Sequence, residues 1–585
     1  MLSHGKGVLA YDGFAMTHAQ TSAKFLSALA LMGINAIAQA QTIPDAGSLL
    51  QQIERDRQTA PKRLIRPDAP VAPPEMKAQP GLTVTVTQFK LLGNTLLGEE
   101  SLQAALASFL NRPLGFAELQ LAAAAVAERY RQAGWVVRAY LPKQEIEGAS
   151  VSIQIIEGRF GATLIDGAAP SHLPVARVLR YIEAIQQPGE AINADAIERA
   201  VMLLDDLPGI SAASTFREGK EEGETDLVLK LVDTPAFVGN VEADNSGSRS
   251  TGAERISGNL YLESLASWGE QFSLNLTKTQ GSQYTRLALT APMGYNGLRF
   301  GINASHLAYN VITPESAALD IRGAAQTTGF EASYPVLRGR SANLNLLANL
   351  DHKAFDNWTS TGSTNNYTIN VATLSLNANA FDGLWGGGAN SASLALLAGK
   401  VDLTDSANQA ADAASSQTEG LYHKWKLSLS RNQSVSDELS LYTQYSMQGA
   451  DRNLDSSEKL TLGGASGVRA YPSSEGSGAE GKTFSLEARL RLPEGLNLSA
   501  FYDWAQITAV NRNNAAPSGE PLSALNPYSL RGYGLSLFWV SSFGGQFKAT
   551  WARRRGDNPN PTASGNDQDG SLHENRFWLS ASLPL

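Results

Sequence analysis

Two opposite charges, Arg469 in Val468-Arg469-Ala470-Tyr471 and Asp503 in Phe501-Tyr502-Asp503-Trp504, carry the most specific chemistry in this 585-residue chain. A guanidinium presents a planar fork of donors that matches the two oxygens of a carboxylate, and it stays charged at any physiological pH. Such a pair is suited to holding a segment in place and is not suited to bond-breaking. Positioning it requires a strand and a loop. Leu496, Leu498, Ala500, Tyr502 and Trp504 fall at a period of two, so Asp503 shares the opposite face with Asn497, Ser499 and Phe501. The preceding segment alternates likewise, with Leu486, Ala488, Leu490 and Leu492 on one side and Ser485, Glu487, Arg489 and Arg491 on the other, joined through a turn at Glu494-Gly495. An apolar face beside a charged one is the pattern of a membrane β-barrel, lipid outside and water inside. Arg469 sits in a long Gly/Ser-rich loop before these strands, so it can meet Asp503 inside the barrel.

Other reactive patterns do not hold up. The chain has no cysteine, which excludes disulfides, thiolate metal sites and cysteine nucleophiles. Gly476-Ser477-Gly478-Ala479-Glu480-Gly481-Lys482-Thr483 matches a phosphate-loop pattern by letter, yet residues 484–492 alternate as a strand where that motif requires a helix. Ser456-Ser457-Glu458-Lys459 is a Ser-x-x-Lys arrangement common by chance. His4, His18, His172, His306, His352, His423 and His573 lack metal-ligand spacing. Arg553-Arg554-Arg555 reads as a solvated rim, with lipopolysaccharide phosphates as its sharper ligand. No nucleophile and base pair up, so no enzymatic activity, cofactor or metal is expected.

Net charge is −9, which gives no support to nucleic-acid binding. Lys24, the apolar run 25–38 and Ala38-Gln39-Ala40 read as a signal peptide over 1–40, of ordinary length if translation starts at Met16. No later run is long and apolar enough for a spanning helix, so an exported chain that reaches a bilayer crosses it as a barrel.

In residues 41–58, Asp45 can cap a helix on which Leu49, Leu50 and Ile53 share one face; it is either a packed surface helix or a plug. The Pro-rich stretch 59–81 is an extended tether. Residues 82–159 read as a β-α-α-β-β unit, and 160–235 repeat that element order. From 236 to 585, about sixteen alternating segments begin near positions such as Phe237, Tyr367, Thr483, Tyr533 and Arg576. Their connections alternate between short and long, and the last strand closes on the first.

Together these features resemble the outer-membrane transporters of two-partner secretion, the TpsB class. Besides the loop motif, the resemblance rests on Tyr130 to Trp135, on Leu141-Pro142-Lys143-Gln144 before Ile155-Ile156-Glu157-Gly158, and on Asp244-Asn245-Ser246-Gly247 with Thr251-Gly252. It implies a mainly β fold: a 16-stranded transmembrane antiparallel β-barrel preceded by two α+β POTRA domains and an N-terminal plug helix. It further implies that Val468, Arg469, Tyr471, Phe501 and Asp503 lock the loop to the barrel wall, while Leu49, Leu50 and Ile53 hold the plug. Where the family has Val-Arg-Gly-Tyr and Phe-x-Asp-x-Gly, this chain has Ala470 and Ala505, tolerable only if neither position needs a positive φ or very close packing. The implied partners are a large secreted exoprotein of haemolysin or adhesin type, outer-membrane lipid and lipopolysaccharide, and the barrel-assembly machinery for insertion of a monomer. The implied location is the outer membrane of a Gram-negative bacterium, with the POTRA domains in the periplasm. A barrel-assembly factor of the BamA type shares the plan but usually has more POTRA units and no plug or tether. A passive porin needs no POTRA pair.

Overall fold

A computed structural model describes residues 44–58, 83–144, 149–221, 223–404, 406–509, 526–562 and 564–585. The expected signal peptide (1–40) and Pro-rich tether (59–81) lie outside the described residues.

Helix α1 (Ala46–Gln58) is followed by a first α/β unit built from β1 (Val84–Thr85), β2 (Gln88–Leu92), α2 (Glu99–Leu106), β3 (Pro113–Leu114), α3 (Phe116–Gln132), β4 (Val137–Tyr140) and β5 (Ser150–Glu157). Its main sheet has the order β2-β5-β4, and β1 with β3 forms a two-stranded sheet that the sequence pattern is too short to reveal. In α3, Leu119, Ala122, Ala123, Val126 and Tyr130 recur at helical spacing and bury one face against Phe89, Val151 and Ile153. Gly134, at φ +82, ends α3 with the left-handed residue such a terminus favours. Glu157 accepts hydrogen bonds from Thr95 N, Leu96 N and Tyr130 Oη at 2.7, 2.9 and 2.8 Å, which ties the end of β5 to the turn after β2.

The second unit repeats the plan with β6 (Arg159–Asp166), α4 (Val175–Glu183), α5 (Ala194–Asp205), β7 (Ile210–Glu218) and β8 (Glu224–Asp233), in sheet order β6-β8-β7. It is joined to the first by backbone hydrogen bonds such as Ala194 N to Gly134 O at 2.7 Å. It also docks on short turns of the barrel. Arg338 donates to both oxygens of Asp206 at 2.7 and 2.8 Å, and Tyr295 meets Tyr181 edge to face at 5.3 Å.

Sixteen antiparallel strands form a closed barrel. In chain order they are β9 (Phe237–Asp244), β10 (Arg255–Glu263), β11 (Gln271–Lys278), β12 (Ser282–Pro292), β13 (Arg299–Asn310), β14 (Arg322–Arg338), β15 (Ala342–Thr359) and β16 (Gly362–Asp382). After them come β17 (Gly388–Asp402), β18 (Gly420–Ser434) and β19 (Leu439–Ala450). Two short strands, β20 (Leu460–Thr461) and β21 (Ser477–Gly478), pair with each other inside the next loop. The wall resumes with β22 (Glu480–Arg491), β23 (Leu496–Thr508), β24 (Tyr528–Val540), β25 (Gln546–Arg554) and β26 (Asn575–Pro584), and β26 pairs with β9 to close it. Closure leaves no sheet edge exposed to lipid, as a bilayer demands. Phe300, Ile302, Phe330, Leu350 and Leu374 face outward and exposed.

Several strands begin earlier than the sequence pattern places them. β16 starts at Gly362 rather than near Tyr367, and β24 at Tyr528 rather than near Tyr533. At the start of β16 residues 362–364 are exposed, so pairing continues where alternation is no longer enforced. At the start of β24 the apolar residues Tyr528 and Leu530 are buried inside against the loop, which inverts the outward alternation that begins at Tyr533. The connection between β22 and β23 uses four residues, 492–495, with Glu494 at φ 58, rather than the two expected. Arg554 is also not a solvated rim residue: its side chain is 8% exposed and pairs with buried Asp567 at 2.9 Å, beside Arg576.

Candidate functional site

The turn at 493–495 sets the register of β22 on β23, placing Ser485 opposite Asp503 and Glu487 opposite Phe501. With a period of two, all four side chains share the inner face. Asp503 is 1% exposed and Phe501 5%.

The β20–β21 pair closes the base of the loop between β19 and β22. Within it, Val468 N donates to Leu462 O at 2.7 Å, Gly464 N to Tyr471 O at 3.1 Å and Tyr471 N to Val468 O at 3.0 Å. The chain crosses itself so tightly that a β-carbon on Gly467 would lie 2.0 Å from Leu462 O, which only glycine avoids. This folded tip delivers Arg469 to the wall. Its Nε donates to Asp503 Oδ2 at 2.8 Å, its Nη2 to Asp503 Oδ1 at 2.7 Å, and its backbone N to Asp503 Oδ2 at 3.1 Å. Nη1 donates to Glu487 Oε1 at 2.7 Å and Nη2 to Ser485 Oγ at 3.0 Å, while Cζ lies 3.4 Å above the centre of the Phe501 ring. Trp578 Nε1, on β26, donates to the Arg469 carbonyl at 2.7 Å.

Two carboxylates and an aromatic face thus surround one guanidinium, and Arg489 balances the second charge through Glu487. Breaking a buried pair of this kind leaves an uncompensated charge, at a cost of about 3–5 kcal/mol. Val468 and Tyr471 do not touch the carboxylates. They are buried in an apolar cluster with Leu462, Phe501, Ile507 and Leu530 that supports the tip. Ala470 and Ala505 are both buried, and neither has a positive φ. The Ala470 methyl packs on Gly532, where an added β-carbon would come within 2.6 Å of it, so the absent hydrogen-only residue on the loop is matched by one on the wall.

The second occupant of the bore is α1. Asp45 Oδ1 accepts from Ser48 N at 2.7 Å and caps the helix. Leu49, Leu50 and Ile53 pack among Tyr284, Leu307, Tyr309, Phe355, Tyr367 and Tyr422 of the inner wall, away from the Arg469 cluster. Polar contacts finish the fit: Arg255 Nη1 to Asp56 Oδ2 at 2.7 Å, Ala46 N to Asn357 Oδ1 at 3.0 Å, and Tyr284 Oη to Glu54. Sequence reasoning placed Ser485 and Glu487 on the inner face but did not assign them to the site, and it missed Trp578, Arg255 and Tyr284. Inner-face alternation is the signal for Glu487. Nothing local marks Trp578, Arg255 and Tyr284, whose partners lie 109, 199 and 230 residues away.

The residues 476–483 that imitate a phosphate loop run through β21 into β22, with no helix after them. Among the described residues there is no group of three or more His, Cys, Asp or Glu arranged to hold a metal ion.

Comparison with known proteins agrees with this architecture. The profile of the family described as haemolysin secretion/activation protein ShlB/FhaC/HecB matches residues 223–517, and that of the ShlB-type POTRA domain matches 84–158. The chain is 26% identical over 482 residues to the heme/hemopexin transporter protein HuxB of Haemophilus influenzae, covering 79% of this chain and 83% of that one. It is 25% identical over 417 residues to the outer membrane transporter CdiB of Dickeya dadantii, covering 68% and 71%. Among solved structures, CdiB from Escherichia coli superposes with a TM-score of 0.71 at 18% identity, covering 93% of this chain and 100% of that one.

Proposed function

Since the chain belongs to the ShlB/FhaC/HecB haemolysin secretion/activation family, a class of two-partner secretion transporters in the Gram-negative outer membrane, we propose how its parts move an exoprotein. The two α/β units, 82–159 and 160–235, act as the periplasmic POTRA pair. They take up an unfolded exported protein of haemolysin or adhesin type by adding an extended segment to a sheet edge or seating it in a helix–strand groove. Helix α1 then leaves the bore, retained by the stretch 59–81. The cargo threads outward past the loop held by Arg469 and Asp503, with Val468, Tyr471 and Phe501 keeping the tip folded. Leu49, Leu50 and Ile53 return the helix afterwards. Direction comes from folding of the cargo outside, and no enzymatic step is needed. The barrel works as a monomer, inserted by the cell's barrel-assembly machinery into a lipopolysaccharide-bearing bilayer.

One observation carries this reading: a closed barrel whose bore holds a separate thirteen-residue helix, stacked on an ionically anchored loop. A passive porin would be expected to keep its bore clear. The test is secretion of an exoprotein encoded beside this chain, with and without residues 83–235. Loss of secretion while the barrel still assembles supports the reading; secretion unchanged would refute it.

A further inference from the structure

The loop between β19 and β22 runs along α1 from one end of the helix to the other. Ser456 Oγ donates to the capping carboxylate Asp45 Oδ1 at 2.9 Å. Gly47 packs so closely on the same turn that a β-carbon there would lie 2.5 Å from Ser456 Oγ and 3.0 Å from Ser457 N. Further along, Gln51 Nε2 donates to Lys459 O at 2.9 Å and Arg55 Nη1 to Thr461 O at 2.8 Å. Ser466 Oγ donates to Asp56 Oδ1 at 2.9 Å. Beyond that point the loop reaches Arg469 and its carboxylates.

The other end of this bed has its own ionic anchor. Glu458, 3% exposed, accepts from Lys353 Nζ of β15 at 2.7 Å and from Lys424 Nζ of β18. Lys424 Nζ also donates to the Glu458 carbonyl at 2.9 Å, and Gln448 Nε2 of β19 reaches the same oxygen at 3.3 Å. Three strands of the wall therefore converge on one loop residue directly beneath the first turn of α1. None of these contacts involves α1 itself.

We propose that Glu458 is a positioning residue for gating: its clamp by Lys353 and Lys424 holds the loop segment on which α1 rests, and so sets how often α1 leaves the bore. Without that clamp, residues 455–459 would be held by Tyr367 Oη of β16, which donates to Asp455 Oδ1 at 3.2 Å, and by the β20–β21 pair that follows, so the polar contacts of Asp45, Gln51 and Arg55 would meet a looser segment. Pinning at both ends presents those partners preorganised. The two anchors then have separate roles, with Arg469 fixing the tip and Glu458 fixing the helix bed.

The inference rests on the reading that α1 leaves, and the experiment separates the two. Because the chain lacks cysteine, Leu50→Cys introduces a single thiol at a site 3% exposed, and Val468→Cys one at a tip site 1% exposed. Each is made in the full chain, reconstituted in lipid vesicles, and labelled with a water-soluble maleimide. Adding Glu458→Gln is expected to raise the labelling rate at position 50 about tenfold, by lowering the helix docking free energy by about 1.4 kcal/mol, and to change position 468 less than twofold. Equal rates at position 50 with and without Glu458→Gln overturn the proposal, and so does a parallel rise at both positions. If Glu458→Gln does not assemble, Lys353→Met removes one arm of the clamp and is read by the same two criteria. Leu49→Ala with Ile53→Ala loosens the helix directly. If its thiol at position 50 stays unlabelled, α1 does not leave and both readings fall; if it labels while the clamp variant does not, the clamp alone falls.

Discussion

Arg469 and Asp503 stand 34 residues apart in the chain and are joined by three hydrogen bonds, two from the guanidinium fork and one from the Arg469 backbone N–H. The backbone contribution means that the carboxylate grips the fold of the loop tip as well as a side chain. Arg469→Ala removes the fork, leaves the carboxylates of Asp503 and Glu487 side by side on adjacent strands of the inner wall, and is expected to lower secretion at least tenfold while the barrel still assembles. Arg469→Lys keeps the charge but replaces a planar fork by a point donor, so it should fall between the two. Secretion assays beside heat-modifiable migration of the barrel check both.

The contact between Ala470 and Gly532 gives a sharper test of loop packing. Gly532→Ala puts two methyl groups 2.6 Å apart and should cost about 1–3 kcal/mol of overpacking. Ala470→Gly in the same protein removes one of them, so it is expected to restore what Gly532→Ala loses. A double-mutant cycle on protease resistance of the loop measures the coupling, and additive effects would show that the two residues do not meet.

Leu49 and Leu50 are buried among aromatic and aliphatic residues of the inner wall. Replacing both by Ala should weaken helix docking by about 2–5 kcal/mol for each leucine, as in other buried sites. The expected result is a higher open-channel current in planar bilayers than wild type shows, with the barrel otherwise unchanged. Current equal to wild type would mean that these side chains do not hold the helix.

In the first α/β unit, burial opposes charge on Glu157, but hydrogen bonds from Thr95 and Leu96 with that from Tyr130 outweigh it and hold its carboxyl below the ordinary glutamate range. A carboxyl whose folded pKa is depressed stabilises the fold above its unfolded pKa of about 4.3, and that contribution is lost as pH falls further, through the folded value. Protection of the Thr95 and Leu96 amides from hydrogen exchange should therefore drop below about pH 4. Glu157→Gln should show weaker protection at neutral pH and little change across that window.

Period-two alternation made the barrel legible from sequence, because a spanning strand must show lipid one face and water the other at every second residue. Helical spacing did the same for Leu49, Leu50 and Ile53, which share one face of a helix. The pattern loses its hold at the start of β16, where the residues are exposed, and at the start of β24, where Tyr528 and Leu530 turn inward against the loop. Arg554 looked like rim charge because a run of three arginines carries no sign of the buried Asp567 that receives one of them.

The sequence by itself determined which residues face inward, since alternation is a local property of a strand, and it singled out Arg469 and Asp503 as the pair to join. Only the tertiary structure decided what else meets in the bore. Glu458 with Lys353 and Lys424, Trp578 with the Arg469 carbonyl, and Asp56 with Arg255 become neighbours when the sheet closes and the loop folds inward. Closure and the inward fold of the loop bring together residues from 34 to 199 positions apart, and no spacing rule along the chain encodes a distance across a cylinder.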